Sequence, residues 1–238
     1  MNTRNKLLGL LVLACVGNTW ALDANEAAGA SQDDFKTDFL VYSFTWQPTF
    51  CIMKPTTPGC DQPPQAFLSH GLWPYSKSEG EFTNRHPQFC TTSPSCDQDA
   101  CEMPSSQMQA VLDNKPLRAL VTKEPKGMFA HEWKKHGTCS GMAMQDYFQE
   151  MVRLSGVKKF AKQKDFEAMI GKQRRFSEIK ATFPENTAFR CYRDTKGQQY
   201  LHEVFYLIRE NGEAYLDEKN LEIGVQCAEQ ATFIPASA

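Results

Sequence analysis

Nine cysteines are the feature that most restricts how this chain of 238 residues can fold. One of them, Cys15, lies in an N-terminal segment with a basic start, an apolar run of 11 residues and small residues up to Ala21. This layout is typical of an export signal, and the apolar run is too short to span a bilayer. Removal of residues 1–21 would leave eight cysteines, which predicts up to four disulfides in an oxidising compartment.

Three other interpretations of these features stay open at this stage. The apolar run could be a buried helix, although its basic flank is atypical of one, and Ala14-Cys15 could mark a lipoprotein. The cysteines could bind zinc, but the chain contains no Cys-x-x-Cys pair. Eight cysteines also allow 105 pairings, so the sequence alone does not assign the disulfides.

The length predicts one domain, which we place at residues 35–238 after an acidic, flexible leader at residues 22–34. Loss of the signal removes only Arg4 and Lys6 from 26 basic residues and none of the 28 acidic ones, so the mature net charge is −4. This balance argues against strong nonspecific binding to nucleic acid and leaves room for a local cationic cleft. Candidates for that cleft are Lys134, Lys135, Arg174 and Arg175, although we interpret the two arginines as part of a solvated helix face.

Hydrophobic patterning predicts strands at both ends of the domain and helices between them. Predicted strands are 38–46, 65–73 (stopped by Pro74), 187–194 and 199–210, and predicted helices are 144–154 and one or two within 164–183. Loops rich in proline and cysteine are predicted at 47–64 and 74–104, and turns at 195–197 and at Asn211-Gly212. The pattern indicates an α+β fold with an antiparallel β-sheet core and helices packed on it.

The string HEWKKHGTC, residues 131–139, carries two of the five histidines. It nearly matches the zinc-protease motif His-Glu-x-x-His, in which the histidines share one helix face. Here they are five residues apart, so a helix would separate His131 and His136 by about 140°, which disfavours binding of one ion. The sequence therefore predicts no metal and no cofactor.

A helical wheel places His131, Glu132, Lys135 and His136 on one side of the helix and leaves Trp133 to anchor it elsewhere. Gly137 suits the left-handed residue that often follows a helix. A solvated, charged helix end is the alternative. Against it, an exposed face needs no pair of histidines, and Cys139 would attach the segment covalently.

RNA cleavage through the ribose 2′-hydroxyl requires such a set of side chains. One histidine takes the 2′-proton, another protonates the leaving 5′-oxygen, and cations stabilise the phosphorane. The string SHGLWP supplies His70 at the end of a predicted strand, and Trp73 as a flat ring on which a base could stack. On its own, this string is more often structural.

Together, FLSHGLWP and MFAHEWKKHGTC resemble the two active-site segments of the ribonuclease T2 family. The resemblance covers about residues 37–230, from a first strand ending in TWQPTFC to the late cysteines. It implies a ribonuclease T2-like, disulfide-stapled single domain. It also implies a metal-independent endoribonuclease that converts single-stranded RNA to 2′,3′-cyclic phosphate ends and then to 3′-phosphate ends, with low base specificity.

The resemblance implies a role for each matching residue. His70 would be the general acid and His136 the general base. Glu132 and Lys135 would stabilise the phosphorane, and His131 would hold the phosphate. Trp73 would stack on the base upstream of the cut, and Tyr75, where some members carry an aspartate, would contribute to substrate binding. His86 and His202 match no motif, and we interpret both as structural.

The resemblance also implies disulfides, a partner and a location. Its usual disulfides are Cys90–Cys139 and Cys191–Cys227, and we add Cys51–Cys60 and Cys96–Cys101 for the remaining cysteines. RNA would be the partner of an exported monomer, in the periplasm or outside the cell, with no membrane contact after signal removal. Two alternatives remain: a catalytically inactive relative that acts as an RNA-binding or toxin module, and a disulfide scaffold without enzymatic activity.

Overall fold

A computed structural model describes residues 36–77, 86–91, 101–218 and 225–237. The predicted export signal, residues 1–21, and the leader, residues 22–34, lie outside the described residues, as does Cys96. Nowhere in these four ranges is there a helix long and apolar enough to cross a bilayer.

The described chain has strands towards both ends and a run of helices between the second and third strands. Its strands are β1 (Phe39–Trp46), β2 (Phe67–Tyr75), β3 (Gln173–Arg175), β4 (Thr187–Arg193), β5 (Gln199–Ile208) and β6 (Ala231–Phe233). Its α-helices are α1 (Gln47–Met53), α2 (Ser105–Asp113), α3 (Lys115–Arg118), α4 (Lys126–Lys135), α5 (Met144–Leu154), α6 (Gln163–Met169) and α7 (Phe176–Lys180). Two 3₁₀ turns, Gly137–Cys139 and Ser155–Val157, follow α4 and α5.

All six strands form one sheet with the order β2-β1-β5-β6-β3, and β4 also pairs with β5. Every pairing is antiparallel except that of β5 with β6. β5 is the central strand, because it contacts β1, β4 and β6 and is buried along nearly its whole length. The fold is therefore the predicted α+β class, with a mixed rather than purely antiparallel sheet.

The sheet carries a large apolar cluster on one face and a small one on the other. In the large cluster, Tyr42, Phe44 and Trp46 of β1 pack with the helices, including Phe129 of α4 and Phe148 of α5. The small cluster contains Phe39, Val41, Trp73, Tyr75, Phe205, Leu207 and Tyr215. Because side chains alternate along a strand, β1 contributes its even-numbered residues to one cluster and its odd-numbered residues to the other.

Two β-bulges interrupt the sheet close to each other. On β2, Gly71 pairs with Ser43 and Ser69 pairs with Phe44, so His70 is the extra residue of a bulge. On β5, Glu203 pairs with Arg190 and Leu201 with Cys191, which makes His202 the extra residue of another. A bulge changes the direction in which a side chain points and is common beside active sites.

Most predicted elements are present, with shifted ends. The helix 144–154 is confirmed, as are the strands that correspond to β1, β4 and β5. The prediction that Pro74 stops the second strand was wrong, because β2 continues to Tyr75. β2 lies at the edge of the sheet and pairs only with β1, so a residue without an N–H is tolerated there.

Two further local predictions need correction. The predicted loop after β1 begins with helix α1, in which Pro48 occupies the first turn, where a missing N–H costs nothing. The segment 164–183 contains two helices, α6 and α7, as predicted, but strand β3 lies between them. Arg174 and Arg175 therefore lie on an exposed strand, separated from β2 by three other strands of the sheet, and not on a helix face.

Three disulfides connect six of the seven described cysteines, and they do so in the expected pairs. Cys51–Cys60 closes the turn after α1, Cys90–Cys139 ties the loop 86–91 to the end of α4, and Cys191–Cys227 joins β4 to the segment before β6. Cys101 is also disulfide-bonded, but its expected partner lies outside the described residues.

Candidate active site

His70 projects from the bulge in β2 between two carboxylates. Its Nδ1 lies 2.6 Å from Oε1 of Glu203, and its Nε2 lies 3.4 Å from Oε1 of Glu132. The side chain is 30% exposed, whereas those of both carboxylates are 1% exposed. His70 is thus the accessible member of a buried charged cluster.

Helix α4 brings the second group of predicted residues to this cluster. Glu132, Lys135 and His136 are buried, and His136 is the residue at which the helix ends. Trp133 is fully buried in the large apolar cluster, so it anchors the helix as the wheel predicted. Outside the helix, the backbone N–H of Phe89 donates to the carbonyl of Lys135, which satisfies one of the acceptors left open at the helix end.

The expectation for Gly137 was wrong. It does not have a left-handed conformation but continues into the 3₁₀ turn Gly137–Cys139. A Cβ at this position would lie 2.4 Å from Cε3 of Trp133. Glycine is needed because the anchoring indole packs directly against the backbone.

Trp73 connects the two predicted segments. Its Nε1–H donates to Oε2 of Glu132 at 2.7 Å, and its ring stacks on His136 with a centroid distance of 4.8 Å and an interplanar angle of 24°. The edge of the same indole contacts His70, with centroids 5.7 Å apart. Trp73 is only 3% exposed, which favours a role in positioning its neighbours, and its predicted role in base stacking stays a prediction.

Gly71 is the residue that allows this contact. A Cβ on Gly71 would lie 1.8 Å from Oε2 of Glu132 and 2.4 Å from Nε1 of Trp73. Real Cβ atoms do not approach other atoms this closely, so the carboxylate and the indole occupy the space that a side chain would need.

Tyr75 and His86 extend the stacking beyond His136. The rings of His136 and His86 are 5.8 Å apart at 28°, and those of His86 and Tyr75 are 4.7 Å apart at 19°. Both Tyr75 and His86 are buried, and Tyr75 also packs on Phe39. These contacts favour a packing role for Tyr75, whose contact with substrate stays a prediction, and the structural interpretation of His86 agrees with its burial.

Glu203 and Arg190 complete the site and were missed by sequence reasoning. Nη1 of Arg190 lies 2.8 Å from Oε2 of Glu203, and Thr45 donates its hydroxyl to Oε1 at 2.8 Å. Ser43 donates to the same oxygen at 3.3 Å. The sequence signal that could have revealed Glu203 was a glutamate inside QYLHEVFYLI, a largely apolar run typical of a central strand.

The environment favours the protonated form of His70. Burial opposes the charge, but the carboxylates of Glu203 and Glu132 and the hydrogen bond from Nδ1 to Glu203 outweigh it, although Arg190 acts in the opposite direction. Together they raise the pKa of His70 to about 9. At neutral pH this imidazole carries a proton that it can donate.

The environment of His136 has the opposite effect. Burial and the positive charges of Lys135, His86, His131 and His70 lower the pKa of His136 well below its ordinary value. Its imidazole is therefore neutral at pH 7 and can accept a proton. The two histidines that contact the same indole thus hold opposite charge states.

The remaining predicted cations lie in different surroundings. His131 is half-buried on α4, more than one turn before His136. The ammonium of Lys134 pairs with the exposed carboxylate of Glu102. Arg174 and Arg175 lie on the exposed strand β3 and are not brought to this cluster. His70, Glu132 and His136 meet at Trp73, and Lys135 and His131 are near enough to His136 for their charges to lower its pKa.

Comparison with solved structures identifies the fold. It is similar to the SF11-RNase associated with gametophytic self-incompatibility in Nicotiana alata, with a TM-score of 0.61. The alignment covers 84% of this chain and 100% of that chain at 19% identity. The described architecture is therefore that of a ribonuclease T2-like protein.

Sequence comparison then identifies the family. Ribonuclease 1 of Arabidopsis thaliana is 26% identical over 80% of this chain and 83% of its own length. A ribonuclease of Aeromonas hydrophila is 27% identical over 60% of this chain and 53% of its own length. The model of the Ribonuclease T2 family matches residues 37–228, so the chain belongs to that family.

Proposed function

We propose that this protein is a metal-independent endoribonuclease that cleaves single-stranded RNA with low base specificity. Family membership supports the substrate class. The observation that carries the reaction type is the pair His70 and His136, one with a raised pKa and one with a lowered pKa, in contact with the same indole. Such a pair supplies a general acid and a general base at neutral pH without a metal ion.

In the first step, His136 takes the proton of the ribose 2′-hydroxyl, and the 2′-oxygen attacks phosphorus. The bond from phosphorus to the 5′-oxygen breaks, and His70 gives its proton to that oxygen. The products are a 2′,3′-cyclic phosphate and a free 5′-hydroxyl. Because Trp73 and His86 pack against the His136 ring, the 2′-hydroxyl would approach along the ring edge.

The second step reverses the proton transfers. His70, now neutral, takes a proton from water, and the resulting hydroxide attacks the cyclic phosphate. The bond to the 2′-oxygen breaks and His136 returns the proton to it, which leaves a 3′-phosphate. The enzyme regains its starting charge state, as a catalytic cycle requires.

The neighbouring residues stabilise charge and geometry in this proposal. Lys135 supplies a buried cation for the phosphorane and His131 holds the phosphate. Glu132, fixed by the Trp73 N–H next to Nε2 of His70, contributes to stabilising the phosphorane through the protonated imidazole of His70. We assign Trp73 to positioning Glu132 and His136 rather than to binding a base.

We also propose that residues 1–21 direct export to the periplasm or the medium and that the mature chain is monomeric. Three disulfides among the described residues support an oxidising compartment. A catalytically inactive RNA-binding or toxin module is the second candidate, but such a protein would not need to hold two imidazoles in opposite charge states.

The proposed activity is tested by incubating the mature protein with RNA in excess EDTA and analysing the ends of the products. We expect cleavage with 2′,3′-cyclic phosphate ends that convert slowly to 3′-phosphate ends. The His136→Phe variant, purified in the same way, is the control for contaminating nucleases and should lose about 10²–10⁴-fold of the rate. Intact RNA would contradict the enzyme, and cleavage abolished by EDTA would contradict the metal-independent mechanism.

A further inference from the structure

The carboxylate of Glu203 is buried in the middle of the sheet, beneath His70. Its Oε1 accepts from Nδ1 of His70 at 2.6 Å and from the Thr45 hydroxyl at 2.8 Å. Its Oε2 faces the Arg190 guanidinium at 2.8 Å. A charge in this position is costly unless it is paired, so its contacts should explain why a glutamate stands in a central strand.

We propose that Glu203, held in place by Arg190, is a positioning residue that fixes the imidazole of His70 and keeps it in the proton-donating state. This inference rests on the proposed function, in which His70 is the general acid. Glu203 does not contact the reacting atoms in this arrangement and acts only through the imidazole.

The direction of the hydrogen bond between His70 and Glu203 determines which ring nitrogen can act as the acid. Because Nδ1 donates to Glu203, the other nitrogen, Nε2, is the one that can present a proton to the leaving 5′-oxygen. The bulge at His70 brings Nδ1 to this carboxylate, and the register of β5 and β1 places Glu203 directly opposite Thr45. A carboxylate that orients a catalytic imidazole in this way is effective because it fixes both the ring and the tautomer.

Other charged groups around His70 are arranged on three elements. Glu132 from α4 faces Nε2, and the imidazole of His136 lies beyond Trp73. Arg190 from β4 disfavours the proton on His70, while its direct contact keeps Glu203 ionised. On β5, Nδ1 of His202 lies 4.0 Å from Oε2 of Glu203 and adds to the positive charge around that carboxylate. Burial alone would raise the pKa of Glu203, but these cations hold it well below its ordinary range.

The alternative is that Glu203 and Arg190 form an ion pair with a structural role only. Two substrates distinguish this role from the positioning of His70. One is a dinucleotide, whose 5′-oxygen must be protonated as it leaves. The other is uridine 3′-(4-nitrophenyl phosphate), whose nitrophenolate leaves without an acid. Both require the base His136, so general damage to the site slows both.

The variant Glu203→Gln removes the charge and keeps the shape. We expect it to slow cleavage of the dinucleotide about tenfold or more, which is part of the 10²–10⁴-fold that general acid catalysis supplies. Cleavage of the nitrophenyl ester should slow much less. The alkaline limb of kcat/KM for the dinucleotide should move down by about one pH unit or more, because a neutral amide no longer favours the charged imidazole. Glu150→Gln, the same change at an exposed ion pair on α5, should alter neither.

Because Glu203→Gln leaves the buried Arg190 without its partner, it can impair folding. The double variant Glu203→Gln/Arg190→Met removes both charges and should show the same selective loss. Equal losses on both substrates with an unmoved alkaline limb, in either folded variant, would overturn the proposal.

An NMR titration of the histidine ring protons, with the His70 signal assigned by its absence in His70→Phe, needs no enzymatic activity. In the unmodified protein, the pKa of His70 should lie near 9, and it should fall in both variants. A His70 that titrates near 6.5 in the unmodified protein would also overturn the proposal. If His70 titrates as expected but neither substrate is cleaved, the proposed ribonuclease function fails, while the control of His70 by Glu203 stands.

Discussion

His70 and His136 show how surroundings assign different tasks to the same side chain. His70 lies between two carboxylates that favour its charged form, whereas His136 is buried among positive groups that disfavour it. Trp73 contacts both rings and also holds Glu132 through its N–H. At the residue scale, Trp73 is therefore a buried ring that links both imidazoles to Glu132.

Trp73→Phe tests this role, because phenylalanine keeps an aromatic ring but cannot donate to Glu132. We expect kcat to fall about tenfold or more, since a charged hydrogen bond contributes about 1.5–3 kcal/mol and the buried carboxylate loses one of its partners. Steady-state kinetics on a dinucleotide provide the measurement.

Trp46→Phe is the matched control for this variant. The Trp46 Nε1–H donates to the Pro235 carbonyl at 2.9 Å, in the large apolar cluster away from the site. Trp46→Phe should lower the free energy of unfolding by an amount similar to that for Trp73→Phe and leave kcat unchanged. A Trp73→Phe enzyme with the kcat of Trp46→Phe would contradict the positioning role.

At the element scale, two features join strand β2 to helix α4. The bulge at His70 aims the imidazole at Glu203, and the missing side chain of Gly71 leaves space for the contact between Trp73 and Glu132. At the other end, Gly137 lets Trp133 pack against the chain that follows α4, and Cys90–Cys139 holds that chain in place. The glycines in both strings are therefore required by close packing.

Gly71→Ala should damage both activity and stability. The added methyl would collide with the Glu132 carboxylate, so we expect a loss of about 1–3 kcal/mol in the free energy of unfolding and a large decrease in kcat. Gly127→Ala in α4 is the control, because nothing lies within 4 Å of its Cβ and alanine favours a helix. In denaturant titrations, the free energy of unfolding should fall for Gly71→Ala and rise for Gly127→Ala. Equal stabilities of the two variants would refute this explanation.

At the scale of the whole molecule, the sheet assembles a site from segments far apart in the chain. β1, β2, β4 and β5 each contribute a polar side chain around His70, and α4 closes the cluster over the edge strand β2. The disulfides attach to the loops and ends that surround this framework. The charge states of the two imidazoles are therefore properties of the folded molecule.

The pH dependence of kcat/KM is the corresponding prediction, because it reports the free enzyme. The rate requires neutral His136, so it should fall only as the pH drops well below 6.5. It also requires protonated His70, so it should fall again as the pH rises through about 9. A profile of kcat/KM whose acidic limb lies at or above pH 6.5, or one without an alkaline limb, would contradict the assignment of His136 as the base and His70 as the acid.

Much of the fold and the four central site residues could be predicted from short-range patterns. Alternation and helical spacing located β1, β5 and α5, and the strings around His70 and His136 placed an acid and a base in one site. The burial of Trp73 and Tyr75 was not predicted, because a sequence does not show which side of an aromatic ring remains open. Glu203 and Arg190 were missed for a related reason, since their pairing depends on strand register.

The sequence by itself determined which chemical groups are present, because residue identity and local spacing are properties of the chain. It determined the two imidazoles, the helix that carries Glu132 and Lys135, and the cysteines available for pairing. Only the tertiary structure decided which histidine gains a proton and which loses one. That choice depends on burial and on charges separated by up to 133 residues, as between His70 and Glu203, and these come together only when the sheet is formed.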